Sequence, residues 1–172
     1  HDNGLPSDQV EDLEAGPDGF LWLAAERALY RFDGAVSDLL VRAAEAGEAI
    51  SSFTPLSGDR ALVSLLTSVH LCHAGTTNAG LRLLDSPLGA NLDFVRCPDG
   101  AVWGIAQAGV VRYGGGAPET FPAPAVQSHA PDSRFHGGCA DSAGRLLLVA
   151  QSRLLRFDPP TRTHEEVDAP DT

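Results

Sequence analysis

An all-β fold made of four copies of one unit follows from three observations on this 172-residue sequence. The segment Pro17-Asp18-Gly19-Phe20-Leu21-Trp22-Leu23 returns as Pro98-Asp99-Gly100-Ala101-Val102-Trp103-Gly104. An Arg-aromatic pair follows each, Arg31-Phe32 and Arg112-Tyr113, with 13 residues from Asp to Arg both times. Within a unit the apolar residues recur at every second position, the period of a strand. The expected architecture is a β-propeller with four blades of four antiparallel strands.

The register can be followed through all four copies. Asp59 starts a degenerate second copy with Val63 at the Trp position, and Gly75 falls 16 residues after it, as Gly34 and Gly115 follow their own Asp. The fourth copy runs through Gly144 and Leu147 to Arg156-Phe157-Asp158, with two extra residues expected in its turn. With Ala143 as its anchor, the steps are 41, 40 and 44 residues, which places blades at about 5–44, 45–86, 87–126 and 127–170. Each inner strand precedes its anchor turn: Val10 to Leu13, Ile50 to Phe53, Asn91 to Phe94 and Arg134 to Gly138. The second strands, such as Leu62-Val63-Ser64-Leu65 and Leu146-Leu147-Leu148-Val149, are apolar on both faces and read as buried on both sides. Tight hairpins are expected at Glu26-Arg27, Thr67-Ser68, Gln107-Ala108 and Gln151-Ser152. In the third strands, Tyr30/Phe32, Leu71/His73, Val111/Tyr113 and Leu155/Phe157 line one face. An outer strand at roughly 36–42 completes the first unit; its rival is a short helix over Asp38 to Ala49 capped by Ser37. Pro122 to Asp132 reads as a long connection between blades, because proline cannot sit in a central strand.

Composition narrows the function. The chain has 12 basic and 23 acidic side chains, a net charge of −11, and no Lys. Nucleic acid and anionic membranes are gripped by clustered Lys and Arg, so neither is an expected partner. No stretch of 18 apolar residues occurs, and the first residues form no signal peptide. The absence of Met implies a piece of something longer. Many Ala, Gly and Arg beside no Lys point to a GC-rich bacterial genome.

The opening Gly4-Leu5-Pro6-Ser7-Asp8-Gln9-Val10, with Asp18-Gly19-Phe20-Leu21-Trp22 and Ala28-Leu29-Tyr30-Arg31-Phe32-Asp33-Gly34, resembles the two-component regulator propeller repeat. The third unit resembles it well, the second and fourth depart from it at Val63 and Leu147, and units two to four all lack the Leu-Pro opening. The resemblance implies a non-catalytic, extracytoplasmic or periplasmic sensor segment of a bacterial signal-transduction regulator, coupled to a kinase or cyclase. It also implies a propeller of about seven blades, so four would be part of a larger ring or would close by self-association through open blade faces. The ligand would be an unidentified small molecule or glycan. Two alternatives stand beside it: an enzyme similar to the streptogramin lyases, and a protein-binding scaffold.

Candidate chemistry is sparse. His70 and His73 lie three apart on a strand and point to opposite faces, so they cannot chelate one ion. Cys72, Cys97 and Cys139 have no CxxC pairing; Cys97 and Cys139 each precede an Asp by two residues and read as small buried side chains rather than a disulfide. Trp22 and Trp103 read as packing between blades, and Arg31, Arg112 and Arg156 as surface or inter-blade ion-pair partners. No nucleophile elbow, phosphate loop or HExxH pair occurs, and no cofactor, metal or catalytic residue is expected. A ligand would meet the mouth of the channel, where the inner strands begin. Register places Gln9, Asn91, Arg134 and His136 there.

Overall fold

The computed structural model describes residues 4–42, 48–57, 59–73, 82–90, 92–114, 116–123, 135–150 and 153–167. These contain sixteen strands in four antiparallel four-stranded sheets. Each sheet is a meander in sequence order, the unit from which propellers are built. The chain divides into two compact units, His1–Leu84 and Asp85–Thr172, each holding two sheets.

In the first unit, one sheet comprises β1 (Val10–Ala15), β2 (Leu21–Ala25), β3 (Ala28–Phe32) and β4 (Ser37–Arg42). The other comprises β5 (Ile50–Leu56), β6 (Arg60–Leu65), β7 (Val69–His73) and β8 (Arg82–Leu84). Residues 37–42 are therefore strand, not helix. Leu40 and Val41 are buried there, and β4 takes up the outer pairing of β3. Glu26 and Arg27 have φ of 50° and 60°, the left-handed pair of a type I′ hairpin that matches strand twist. In the second sheet the tight turn is Leu66-Thr67, one residue earlier than expected, because Leu65 N donates to Ser68 O at 2.8 Å. Trp22, Leu29 and Val41 of one sheet pack with Phe53, Ala61, Val63, Leu65 and Cys72 of the other, forming one buried cluster.

In the second unit, β9 (Asp93–Arg96), β10 (Val102–Ala106), β11 (Gly109–Tyr113) and β12 (Glu119–Pro122) form one sheet. β13 (Phe135–Ala140), β14 (Leu146–Ala150), β15 (Arg153–Asp158) and β16 (Thr163–Val167) form the next. Trp103, Ile105, Val110 and Phe121 meet Leu146, Leu148, Leu155 and Phe157 in the second buried cluster. The alternation is clean in β14, where Leu146, Leu148 and Ala150 are buried and Val149 on the opposite face is 42% exposed. The expectation of burial on both sides thus holds for β10 and not for β14.

The turns after β1, β9 and β13 have a common form. Gly16 N donates to Phe20 O, Cys97 N to Ala101 O and Asp141 N to Arg145 O, at 2.8, 2.8 and 2.9 Å. Gly19, Gly100 and Gly144 take φ of 85°, 85° and 80°, a conformation a side chain would resist. Asp18, Asp99 and Asp141 each accept a backbone N–H two residues on, the bond that makes aspartate a turn residue. The fourth turn is no longer than the others, so the two extra residues expected in it are absent. Asp141 occupies the position of Cys97 and Gly16, which makes Ala143 the true counterpart of Asp18 and Asp99.

Candidate functional site

Among the described residues, three of the four inner strands, β1, β5 and β13, carry a shared irregularity at the end where a ligand was expected. In β1, Val10 lies opposite Ala25 and Asp12 opposite Ala24, so Glu11 is skipped. Ser51 is skipped in the same way in β5, and His136 in β13. A bulge of this kind breaks the alternation and re-aims the neighbouring side chains. Gln9 sits just before the bulge in β1, exposed, with its backbone N–H donating to Ser7 Oγ at 3.1 Å. The Ser51 hydroxyl donates to the carbonyl of Ser64 at 2.9 Å.

Of the four residues expected at the channel mouth, Asn91 and Arg134 lie outside the described residues. The backbone of His136 is the bulge itself. Gln9 belongs to the first unit and His136 to the second, each at the start of its blade's inner strand. Sequence reasoning missed Glu11 and Ser51, because a skipped residue leaves no mark in a single strand's pattern. The irregular stretch around His136-Gly137 was the one visible trace.

His70 Nε2 lies 2.8 Å from Ser68 Oγ, while its Nδ1 is buried without a partner. Burial lowers its pKa, with Glu48 opposing. His70 pairs with Val63 and His73 with Arg60, and His73 is exposed, so it does not fill the aromatic column as Tyr113 and Phe157 do. Cys72 is buried and its thiol is pushed up to about 11 by burial. Cys97 is buried beside its turn as expected, whereas Cys139 is exposed; both are free thiols. Among the described residues no three His, Cys, Asp or Glu side chains converge as a metal site would require.

Trp22 and Trp103 are 0% and 1% exposed, and each lies in the cluster between two adjacent sheets. Their role is packing between blades. Arg31 spans such a junction: its guanidinium contacts Asp18 at 2.9 Å and Asp59 of the next sheet at 3.1 Å, and lies 3.6 Å from the Phe20 ring centroid. Arg156 pairs with Glu165 within its own sheet. Arg112 makes no ion pair among the described residues and lies 6.0 Å over Trp103.

With this geometry the chain can be set against known proteins. No family model and no curated protein matches it. Solved structures do. A catalytically inactive virginiamycin B lyase from Staphylococcus aureus, with quinupristin, aligns with 98% of this chain and 59% of its own, at TM-score 0.72 and 17% identity. The extracellular domain of the one-component system BT4673 from B. thetaiotaomicron aligns with 99% of this chain and 23% of its own, at TM-score 0.72 and 12% identity. Regucalcin from Agrobacterium tumefaciens, a calcium-binding protein, aligns with 91% of this chain and 58% of its own, at TM-score 0.61 and 13% identity. These likenesses define the fold as a β-propeller. The chain spans less than two thirds of the length of each, and they include both an enzyme and an extracellular signalling domain. No helix among the described residues is long and apolar enough to cross a membrane.

Proposed function

We propose that this chain is part of a non-catalytic, ligand-binding sensor propeller, the extracytoplasmic input segment of a bacterial signal-transduction regulator. The observation that carries this reading is the Gly4-Leu5-Pro6-Ser7 opening, the most specific part of the repeat it resembles. In the first blade that opening is built into the fold: Ser37 Oγ donates to Gly4 O at 2.7 Å, and Ser7 is 5% exposed. Gly4 has φ of 73°, and a Cβ there would lie 1.9 Å from Ala35 O, so the position requires glycine. The likeness to an extracellular signalling domain along 99% of the chain supports the same reading.

Ligand contact is assigned to the bulged starts of the inner strands, with Gln9 in the first unit and His136 in the second, and with Asn91 and Arg134 as their register counterparts. A small molecule or glycan is the ligand class. The likeness to virginiamycin B lyase favours a second reading, a propeller lyase using a histidine. Incubating the purified protein with virginiamycin B and following the compound by liquid chromatography separates the two. An unchanged compound, with output of the full-length regulator rising on a ligand and lost in Gln9→Ala or His136→Ala, is expected; conversion of the compound would overturn the sensor reading.

A further inference from the structure

Between the two sheets of the second unit, on the side of the Asp-Gly turns, lies a cleft of about 350 Å³. That is at the small end of ligand pockets. Its lining includes the buried rings of Trp103 and Phe121, Ala101 and Ala143 as small walls, and Arg112, which is exposed. The corresponding place in the first unit is occupied by protein. There Arg31 lies over the Phe20 ring at 3.6 Å and holds the Asp59 carboxylate at 3.1 Å. By register Ala101 stands where Phe20 does, and Gly144 where Asp59 does, the latter two each being the turn residue with positive φ. A phenyl ring is therefore reduced to a methyl group and a carboxylate side chain to a hydrogen on opposite sides of the junction, while the arginine between them is kept.

We propose that this cleft binds a small aromatic carboxylate, its ring over Ala101 in the place of Phe20 and its carboxylate on Arg112 in the place of Asp59. The guanidinium offers two parallel donors to a carboxylate and a flat cation to a ring, which is the recognition that Arg31 already performs within the chain. The other charges of the cleft are accounted for. Arg162 lies 5.2 Å from the Phe121 ring centroid and engages Glu119, the cross-strand neighbour of Arg112, at 2.5 Å. Asp99 accepts the turn N–H of Ala101 at 3.0 Å and, unlike Asp18, forms no ion pair with the arginine of its blade. The cleft lies on the turn side of one junction, apart from the bulged strand starts, so this site stands or falls independently of the sensor reading.

The test is a titration of the purified protein with benzoate, followed by NMR, with benzamide as the neutral ring and acetate as the anion without a ring. Benzoate is expected to bind at least about tenfold more tightly than either, and Arg112→Gln to remove that advantage. Gly144→Asp places a carboxylate of the chain where Asp59 stands in the first unit and Ala101→Phe fills the ring position, so each is expected to abolish benzoate binding. Asp99→Asn removes a like charge and is expected to tighten binding. Absence of benzoate binding up to about 10 mM, or equal binding of benzoate and benzamide, would overturn the proposal. So would a folded Gly144→Asp protein that binds benzoate unchanged, a result that decides the matter even where Arg112→Gln fails to fold.

Discussion

The two junctions between adjacent sheets, one in each unit, start from the same register and finish differently. In both, a tryptophan from the second strand of one blade is wholly buried against the next blade. At the rim they part. The first junction is closed by Arg31 with two carboxylates and a ring, and the second is left open around Arg112. The apolar interior holds neighbouring blades together, since burying an indole removes a large apolar surface from water. The polar rim contributes little cohesion, as partly exposed ion pairs do, and can therefore change without loss of the fold.

The strongest way to break this comparison is to remove the shared part. Trp22→Ala and Trp103→Ala are each expected to lose about 3–5 kcal/mol in urea unfolding, and a loss below about 1 kcal/mol at either site would show that its junction is held by something else. Next comes the rim. Arg31→Ala removes two partly exposed pairs and a ring contact and is expected to lose about 1–2 kcal/mol, less at high salt, whereas Arg112→Ala is expected to change stability by less than about 0.5 kcal/mol. Equal losses would erase the distinction. Rebuilding the closed rim in the second unit by combining Ala101→Phe with Gly144→Asp is expected to shift stability by less than about 0.5 kcal/mol, because the new ion pair offsets the strain of a side chain at φ of 80°, read as a nearly constant denaturation midpoint.

The smallest effect should not distinguish the units at all. His70 in the first and His164 in the second both have pKa lowered from 6.5, in each case mainly by burial. The unfolded chain takes up these protons first as pH falls, so the contribution is complete above about pH 6.5 and is lost as pH falls toward the folded values. Unfolding midpoints measured between pH 7 and 5 should decline, and the decline should be shallower in both His70→Gln and His164→Gln. A flat profile would contradict the burial of both rings.

Much of the fold was legible because the second strands carry apolar residues on two faces and the Asp-Gly turns recur at fixed distance. Trp22, Trp103 and the outer strand at 37–42 were all placed by that register. The turn at Leu66-Thr67 was displaced by one residue, since nothing in Leu65-Leu66-Thr67-Ser68 marks which two residues leave the ladder. The length of the fourth turn was misjudged for a related reason: Asp141 resembles the anchor aspartate but stands two places before it. The cleft was invisible for a different reason. Phe20 and Ala101 were aligned in the repeat, but Asp59 was set one residue out of register, since strand pairing puts Gly144 and not Ala143 at its position, and only the structure shows that these residues surround one arginine. Of the expected channel-mouth residues, Gln9 and His136 were legible as lying at strand starts, while the bulges beside Gln9 and at His136 depend on pairing between strands, which one strand's sequence does not contain.

The skipped residues have a consequence for chain length. A strand that carries one residue more than its partner requires can lose that residue without moving any pair on either side: without Glu11, the pairs Val10 with Ala25 and Asp12 with Ala24 become consecutive steps of a regular ladder. The same holds for Ser51. Single-residue deletion, ordinarily ruinous inside a sheet, is therefore tolerable at these points, and the inner strands are where this fold can absorb a change in length.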